Sequence, residues 1–165
     1  MNMTFELKSI GTIHTPFKQA EGTPIQPVKG QGTKGWVEVD NAYVDGLKDL
    51  DGFDRIWLLF WCHRANEARM RIKPYMDTQI RGLFSTRAPC RPNPIGISCV
   101  KLLSVAGNRL EIEDIDMLDG TPLLDIKPYA NKFDHFQVNH CGWIDTVDKD
   151  AQTKADNRFF QEEKP

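Results

Sequence analysis

Short runs in this chain alternate apolar and polar residues, the period of a strand with one buried face. Trp36-Val37-Glu38-Val39-Asp40 alternates in this way, and so does Leu110-Glu111-Ile112-Glu113-Asp114-Ile115. Phe5 to His14 has a mixed alternation and predicts a first strand that Thr15-Pro16 ends. Arg55 to Cys62 is a run of aliphatic and aromatic residues of strand length, which predicts a central strand buried on both faces. Further strands are predicted over Ile80 to Ser85, Ile95 to Val105, and Leu123 to Ile126. Ala106-Gly107-Asn108-Arg109 is the expected hairpin turn after the longest of them. Tyr43 to Leu50 suits a short helix with Val44, Leu47 and Leu50 turned inward and Gly52 as its end. Lys149 to Glu162, polar but carrying Phe159 and Phe160, predicts a terminal helix that docks on the body. Gly22 to Gly35, rich in Gly, Pro and Gln, reads as a long loop, a type of segment that is usually functional or mobile.

About seven short strands with close-set turns and few helices point to a mainly β fold. The expected architecture is a small antiparallel β-barrel with a few short helices and a C-terminal helix. The expected division is a barrel domain over 1–147 and a tail or helix over 148–165. The chain has 165 residues, enough for one core without covalent staples. Its longest apolar run, Ile56 to Cys62, is far too short to cross a bilayer. The N-terminal dozen residues hold Glu6 and Lys8 and no apolar signal core. A cytoplasmic protein that does not enter membranes is therefore expected. The four cysteines, Cys62, Cys90, Cys99 and Cys141, contain no C-x-x-C pair and are expected as free thiols. Cys62, His63, His135, His140 and Cys141 lack a zinc spacing, so no metal site is expected.

The net charge of −2 disfavours non-specific nucleic-acid binding by the whole surface. The distribution is uneven, however. Eight basic residues face two acidic ones between Arg55 and Arg91, whereas thirteen acidic residues face six basic ones from Glu111 onward. This segregation permits a basic face on an acidic protein, unless the sheet spreads the charges around.

Gly30-Gln31-Gly32-Thr33-Lys34-Gly35 matches the dinucleotide fingerprint G-x-G-x-x-G, but a Pro-rich loop precedes it and a strand is predicted after it. The fingerprint needs the reverse context, a strand before and a helix after, so this stretch reads as a loop. The informative stretch is Ser85-Thr86-Arg87-Ala88-Pro89-Cys90-Arg91-Pro92-Asn93-Pro94-Ile95-Gly96-Ile97-Ser98. Its prolines fix φ and remove backbone donors, so Arg87 and Arg91 are held with little freedom. They form either a preorganised anion site or a stiff crossover paired with surface acids. In Leu123 to Tyr129, Asp125 and Lys127 fall on one strand face, either as an ion pair or as site chemistry. His63-Arg64, after the predicted central strand, reads as an exposed strand end.

Several stretches together resemble one known family: Ile10-Gly11-Thr12-Ile13-His14-Thr15-Pro16-Phe17, Gly46-Leu47 with Leu50 to Phe53, the Arg-x-Pro-x-Arg-Pro-Asn-Pro-Ile-Gly-x-Ser stretch, and Asp119-Gly120-Thr121-Pro122 followed by Asp125-Ile126-Lys127-Pro128-Tyr129. This pattern, over roughly residues 5 to 130, is similar to the TrmO family, also called TsaA-like or YaeB-like. The resemblance implies an S-adenosylmethionine-dependent methyltransferase built on a small β-barrel, acting as a homodimer with its cofactor sites near the subunit contact. It implies N6-methylation of threonylcarbamoyladenosine beside the tRNA anticodon. By motif it places cofactor binding on Gln26, Pro27, Val28, His63, Arg64, Arg87, Ile97, Leu118, Asp119, Gly120 and Thr121.

Within that reading Arg87 would take the cofactor's carboxylate, and backbone groups of Leu118 to Thr121 would meet adenine. Asp125, oriented by Lys127, is the candidate proton acceptor. The basic stretch from Arg64 to Arg91 would meet the phosphates of the anticodon stem. Many bacterial relatives carry a further C-terminal domain that this sequence does not show, which opens two other readings. One is the same cofactor with another RNA or a small molecule as acceptor. The other is a non-catalytic, S-adenosylmethionine-binding regulator.

Overall fold

A computed structural model describes residues 3–148 and 151–161. Six strands close into an antiparallel barrel: β1 (Gly11–His14), β2 (Lys34–Val39), β3 (Arg55–Trp61), β6 (Ile95–Ala106), β7 (Arg109–Glu113) and β8 (Thr121–Pro128). Their order around the barrel is β1-β2-β7-β6-β3-β8, and β8 pairs back with β1. β4 (Arg71–Ile72) and β5 (Arg81–Gly82) form a separate two-stranded ribbon inside the long excursion between β3 and β6.

Alternation explains the interior. Ile13, Val37, Val39, Ile56, Leu58, Val100, Leu110, Ile112 and Leu123 point inward and are almost wholly removed from solvent. Strand β3 corrects one expectation. Ile56, Leu58 and Phe60 are buried, but Trp57, Leu59 and Trp61 on the other face are half-buried. A closed barrel buries one strand face fully; β3 therefore keeps the alternation that its aromatic content hides in the sequence. Across the β3–β6 pair the Phe60 ring lies over Gly96, where any Cβ would overlap the ring.

Other expectations shift at their ends. The first strand is confined to Gly11–His14, and the predicted strand over Ile80 to Ser85 is two residues of β5 followed by a 3-10 turn, Leu83–Ser85. Short pairing suits this Gly-containing stretch, which leaves Ile80 and Phe84 exposed. The helix expected from Tyr43 is 3-10 rather than α, Asn41–Leu47 and then Leu50–Gly52, with Leu47 and Leu50 buried and Val44 only partly so. The hairpin turn forms as expected, Gly107 supplying its positive φ of 60°.

The expected C-terminal helix is not a helix within 151–161; Lys149 and Glu162, the ends of that prediction, lie outside the described residues. The segment is an extended strap with one 3-10 turn, Asn157–Phe159. Its backbone bonds run sideways into the body. Ala155 donates to the Thr23 carbonyl at 2.7 Å and accepts from Gly22 at 2.9 Å, while Asn66 donates to Phe159 and Gln161 donates to Arg64. A strap that spends its backbone groups on neighbours has none left for i→i−4 pairing. Phe159, 2% exposed, completes a second core with Ile72, Leu83, Ala88 and Cys90. The Cys90 thiol donates to the Phe159 carbonyl.

Phe159→Ala is expected to lower stability by about 3 kcal/mol, because the ring fills a closed cluster. Urea unfolding checks this, and a variant as stable as its parent would show that the strap is not part of the folded unit.

Candidate active site

The middle of the barrel is filled, so ligand space must lie at its end or outside it. A cavity of about 740 Å³ opens beside β3 and β6. Above those strands its walls come from five places: the 20–29 loop, the excursion over 74–91, the turn after β7, the 3-10 turn Gly142–Thr146, and the strap through Ala155, Phe159 and Phe160. Apolar and aromatic surface dominates, with Phe60, Tyr75, Phe84 and Trp143 among the lining residues. Trp143 is held at the edge by its indole N–H, which donates to the Ser85 carbonyl at 2.8 Å.

The structure brings together much of the residue set implied by the family resemblance. Gln26, Val28, His63, Arg64, Arg87, Ile97, Leu118 and Thr121 all line this one cavity. Pro27, Asp119 and Gly120 do not. Pro27 starts a 3-10 turn, and Asp119 faces the other way. The Asp119 carboxylate accepts from the Thr15 backbone at 2.9 Å and pairs with Lys18, contacts that hold it below the usual carboxylate range against some loss of solvation. Gly120 supplies the left-handed residue of this turn, with a φ of 74°. Thr121 is buried and closes the turn by donating to the Leu118 carbonyl at 2.7 Å.

The two arginines of the proline-rich stretch separate in role. Arg91 donates to the carbonyls of Thr86 and Ala88 and so braces its own loop. Arg87 reaches across the cavity and donates to the Gln26 side chain at 2.8 Å, joining the two lips. His63 is pushed below its ordinary pKa by lost solvation and by the neighbouring Arg64 charge. Arg64 itself donates to the Lys18 carbonyl.

Asp125 and Lys127 do share a strand face, as their spacing requires, and pair at 2.8 Å, but neither lines the cavity. The carboxylate that does is Asp116, whose spacing from Asp114 is too unspecific to single it out in the sequence. It is the one acidic residue among the described residues of the lining. Ser98, on β6, donates to it at 2.6 Å. Burial raises its pKa to about 7, against the opposing pull of the Ser98 hydroxyl and the Arg87 charge. Cys62 lies nearby, its thiol pushed up to about 12 by burial and by the Asp116 charge. The available signal for Asp116 was positional: it lies just before the Asp119-Gly120 turn, two residues beyond a buried Asp114.

Neither the G-x-G-x-x-G stretch nor a metal cluster competes with this cavity. The glycines form a turn that runs into β2 with no helix behind it. Among the described residues no group of three or more His, Cys, Asp or Glu could hold a metal ion, and no helix is long and apolar enough to cross a membrane.

Residues 12–135 match the family model described as the tRNA-methyltransferase O N-terminal domain. The chain belongs to the TrmO family. Similar proteins include a "probable S-adenosyl-L-methionine-binding protein" of Pyrococcus abyssi, 46% identical over 93% of this chain and 84% of that one. The tRNA (adenine(37)-N6)-methyltransferase of Escherichia coli is 35% identical over 76% of this chain. The crystal structure of TrmO from Pseudomonas aeruginosa superposes with a TM-score of 0.71 and 35% identity over 85% of this chain. The chain spans 58% of the length of the E. coli enzyme and 62% of that TrmO structure. The strap at 151–161 lies beyond the TrmO family match, yet it walls the cavity.

The Asp116 environment predicts a pH signature. The fold favours the protonated acid, so the stability that group contributes is full below the ordinary Asp range and is lost as pH rises toward and through about 7. Asp116→Asn is therefore expected to raise Tm relative to the parent more at pH 8 than at pH 4. An equal Tm difference at both pH values, by calorimetry, would contradict the burial argument.

Proposed function

We propose that this chain is an S-adenosylmethionine-dependent methyltransferase that acts on tRNA, at the N6 nitrogen of threonylcarbamoyladenosine at position 37, and that the cavity beside β3 and β6 holds its cofactor. The observation that carries this reading is the convergence of Gln26, His63, Arg87, Leu118 and Thr121, distant in sequence, on one cavity. The cavity's size and chemistry fit the group. A volume of about 740 Å³ admits a nucleoside with an amino-acid arm; apolar walls suit adenine, and charges of both signs suit the arm. Bound there, the cofactor supplies a methyl group already activated by the sulfonium.

The protein's own work is then mostly positioning. The Arg87–Gln26 bond closes the lips and leaves further guanidinium N–H groups for a carboxylate. Phe60, Tyr75 and Phe159 exclude water from the inner wall. The cavity-facing carboxylate is Asp116, while Asp125 and Lys127 pair with each other away from the lining. Arg69, Arg71 and Lys73, exposed on the excursion beside the cavity, suit contact with phosphates. Exposed Val28 and Ile97 in the cavity lining, with Phe84 75% exposed, support pairing of two copies near the cavity mouth as a homodimer. A tRNA substrate implies work in the cytoplasm.

The test is transfer of a labelled methyl group from S-adenosylmethionine to tRNA that does or does not carry threonylcarbamoyladenosine. Label is expected in the carbamoylated tRNA alone, at N6 of residue 37, with transfer at least about tenfold slower in Arg87→Ala. Label in a different RNA or a small molecule would overturn the acceptor. No transfer and no cofactor binding would overturn the enzyme reading.

A further inference from the structure

We propose that Asp116, supported by Ser98, binds the α-ammonium of the cofactor and with Arg87 forms a two-charge clamp on its amino-acid end. This rests on the reading of the cavity as the cofactor site and assigns a partner that reading leaves open. An amino-acid arm brings a carboxylate and an ammonium on the same carbon. Its site needs a cation and an anion that face the same space. The cavity is lined by Lys29, Arg64, Arg87 and Arg91, and Asp116 is its single acid among the described residues. The anionic role therefore has one candidate.

The geometry suits that role. One Asp116 oxygen accepts the Ser98 hydroxyl at 2.6 Å, which fixes the carboxylate and leaves the other oxygen for an N–H donor. Arg87 acts electrostatically on Asp116, so the two ends of the clamp share one field. The side chain is only partly exposed, which strengthens a charge-assisted bond once a cation arrives. A carboxylate placed in an apolar wall destabilises the empty fold, and such a cost is typical of a group kept for binding. The groups that face it are Ser98 from β6, Cys62 from the end of β3, and Arg87 from the proline-rich segment; His63 and Arg91 line the same cavity. Burial pushes the Cys62 thiol up to about 12, lost solvation and the Arg64 charge push His63 below its ordinary value, and Asp116, raised by burial to about 7, is the carboxylate poised to give up a proton near neutrality when a cation arrives.

The experiment is calorimetric titration of the full chain with three ligands: S-adenosylmethionine, S-adenosylhomocysteine and 5′-methylthioadenosine, which lacks the amino-acid arm. Asp116→Asn is expected to weaken the first two by about tenfold or more and to leave the third within about twofold. Ser98→Ala should move affinities in the same direction by less. In the parent protein, binding of S-adenosylmethionine at pH 6.5 should release protons, seen as an enthalpy that changes with the buffer's ionisation heat. Asp116→Asn should abolish that part of the release.

Equal weakening of all three ligands would overturn the clamp, because Asp116 would then shape the cavity as a whole. Unchanged affinity for S-adenosylmethionine with lost methyl transfer would also overturn it and make Asp116 a proton acceptor instead. If the parent bound none of the three, the cofactor-site reading itself would fall and the clamp with it. Retained binding of 5′-methylthioadenosine shows that a variant is folded with its adenosine pocket intact.

Discussion

A six-stranded barrel of this size has room inside only for its own side chains, and everything functional here follows from that exclusion. Ile13, Val37, Ile56, Leu58, Val100, Leu110 and Leu123 fill the interior and are shut off from solvent. The ligand space is therefore built at the end of the barrel where β3 finishes and β6 begins. Those two strands supply a rigid floor through Phe60, Ile97 and Ser98, while the β3–β6 excursion and the 20–29 loop supply the sides. Both sides are mostly loop, with only short elements in them. Arg91 braces the excursion through its own loop carbonyls, Arg87 ties it to Gln26 of the 20–29 loop, and the strap bonds to both.

The strap gives the fold its second core and the cavity part of its wall at the same time. Phe159 packs among Ile72, Leu83 and Cys90 while also lining the cavity, so stability and site shape share a residue. Asp116 shows the opposite arrangement: a carboxylate on the floor that burial disfavours and that the fold tolerates beside Ser98 and Arg87. The first is a packing device and the second a charge held ready, which fits a site that must hold a doubly charged amino-acid arm in an otherwise apolar wall.

Much of the barrel was legible because strand alternation is local. Val37 and Val39, or Leu110 and Ile112, announce their inward face from their spacing alone. The misreadings fell where tertiary pairing decided the matter. Phe159 and Phe160 look like the apolar face of a helix, but their backbones bond to Asn66 and Ala65 across the chain. The aromatic run of β3 hides its alternation because Trp57 and Trp61 are large enough to cover an outer face. At the site, the motifs carried Arg87, Leu118 and Thr121 to the cavity. Asp116 could not be separated from its neighbours Asp114 and Asp119 by spacing. Asp114 pairs with Arg55 and Asp119 with Lys18, and only the fold leaves Asp116 facing ligand space.

The most direct test of this account is the crystal structure of the chain with S-adenosylhomocysteine. The account predicts the ligand in the cavity beside β3 and β6, its amino-acid end between Arg87 and Asp116 and the strap in place against Phe159's cluster. Ligand bound anywhere else, the Gly30–Gly35 turn included, would contradict it.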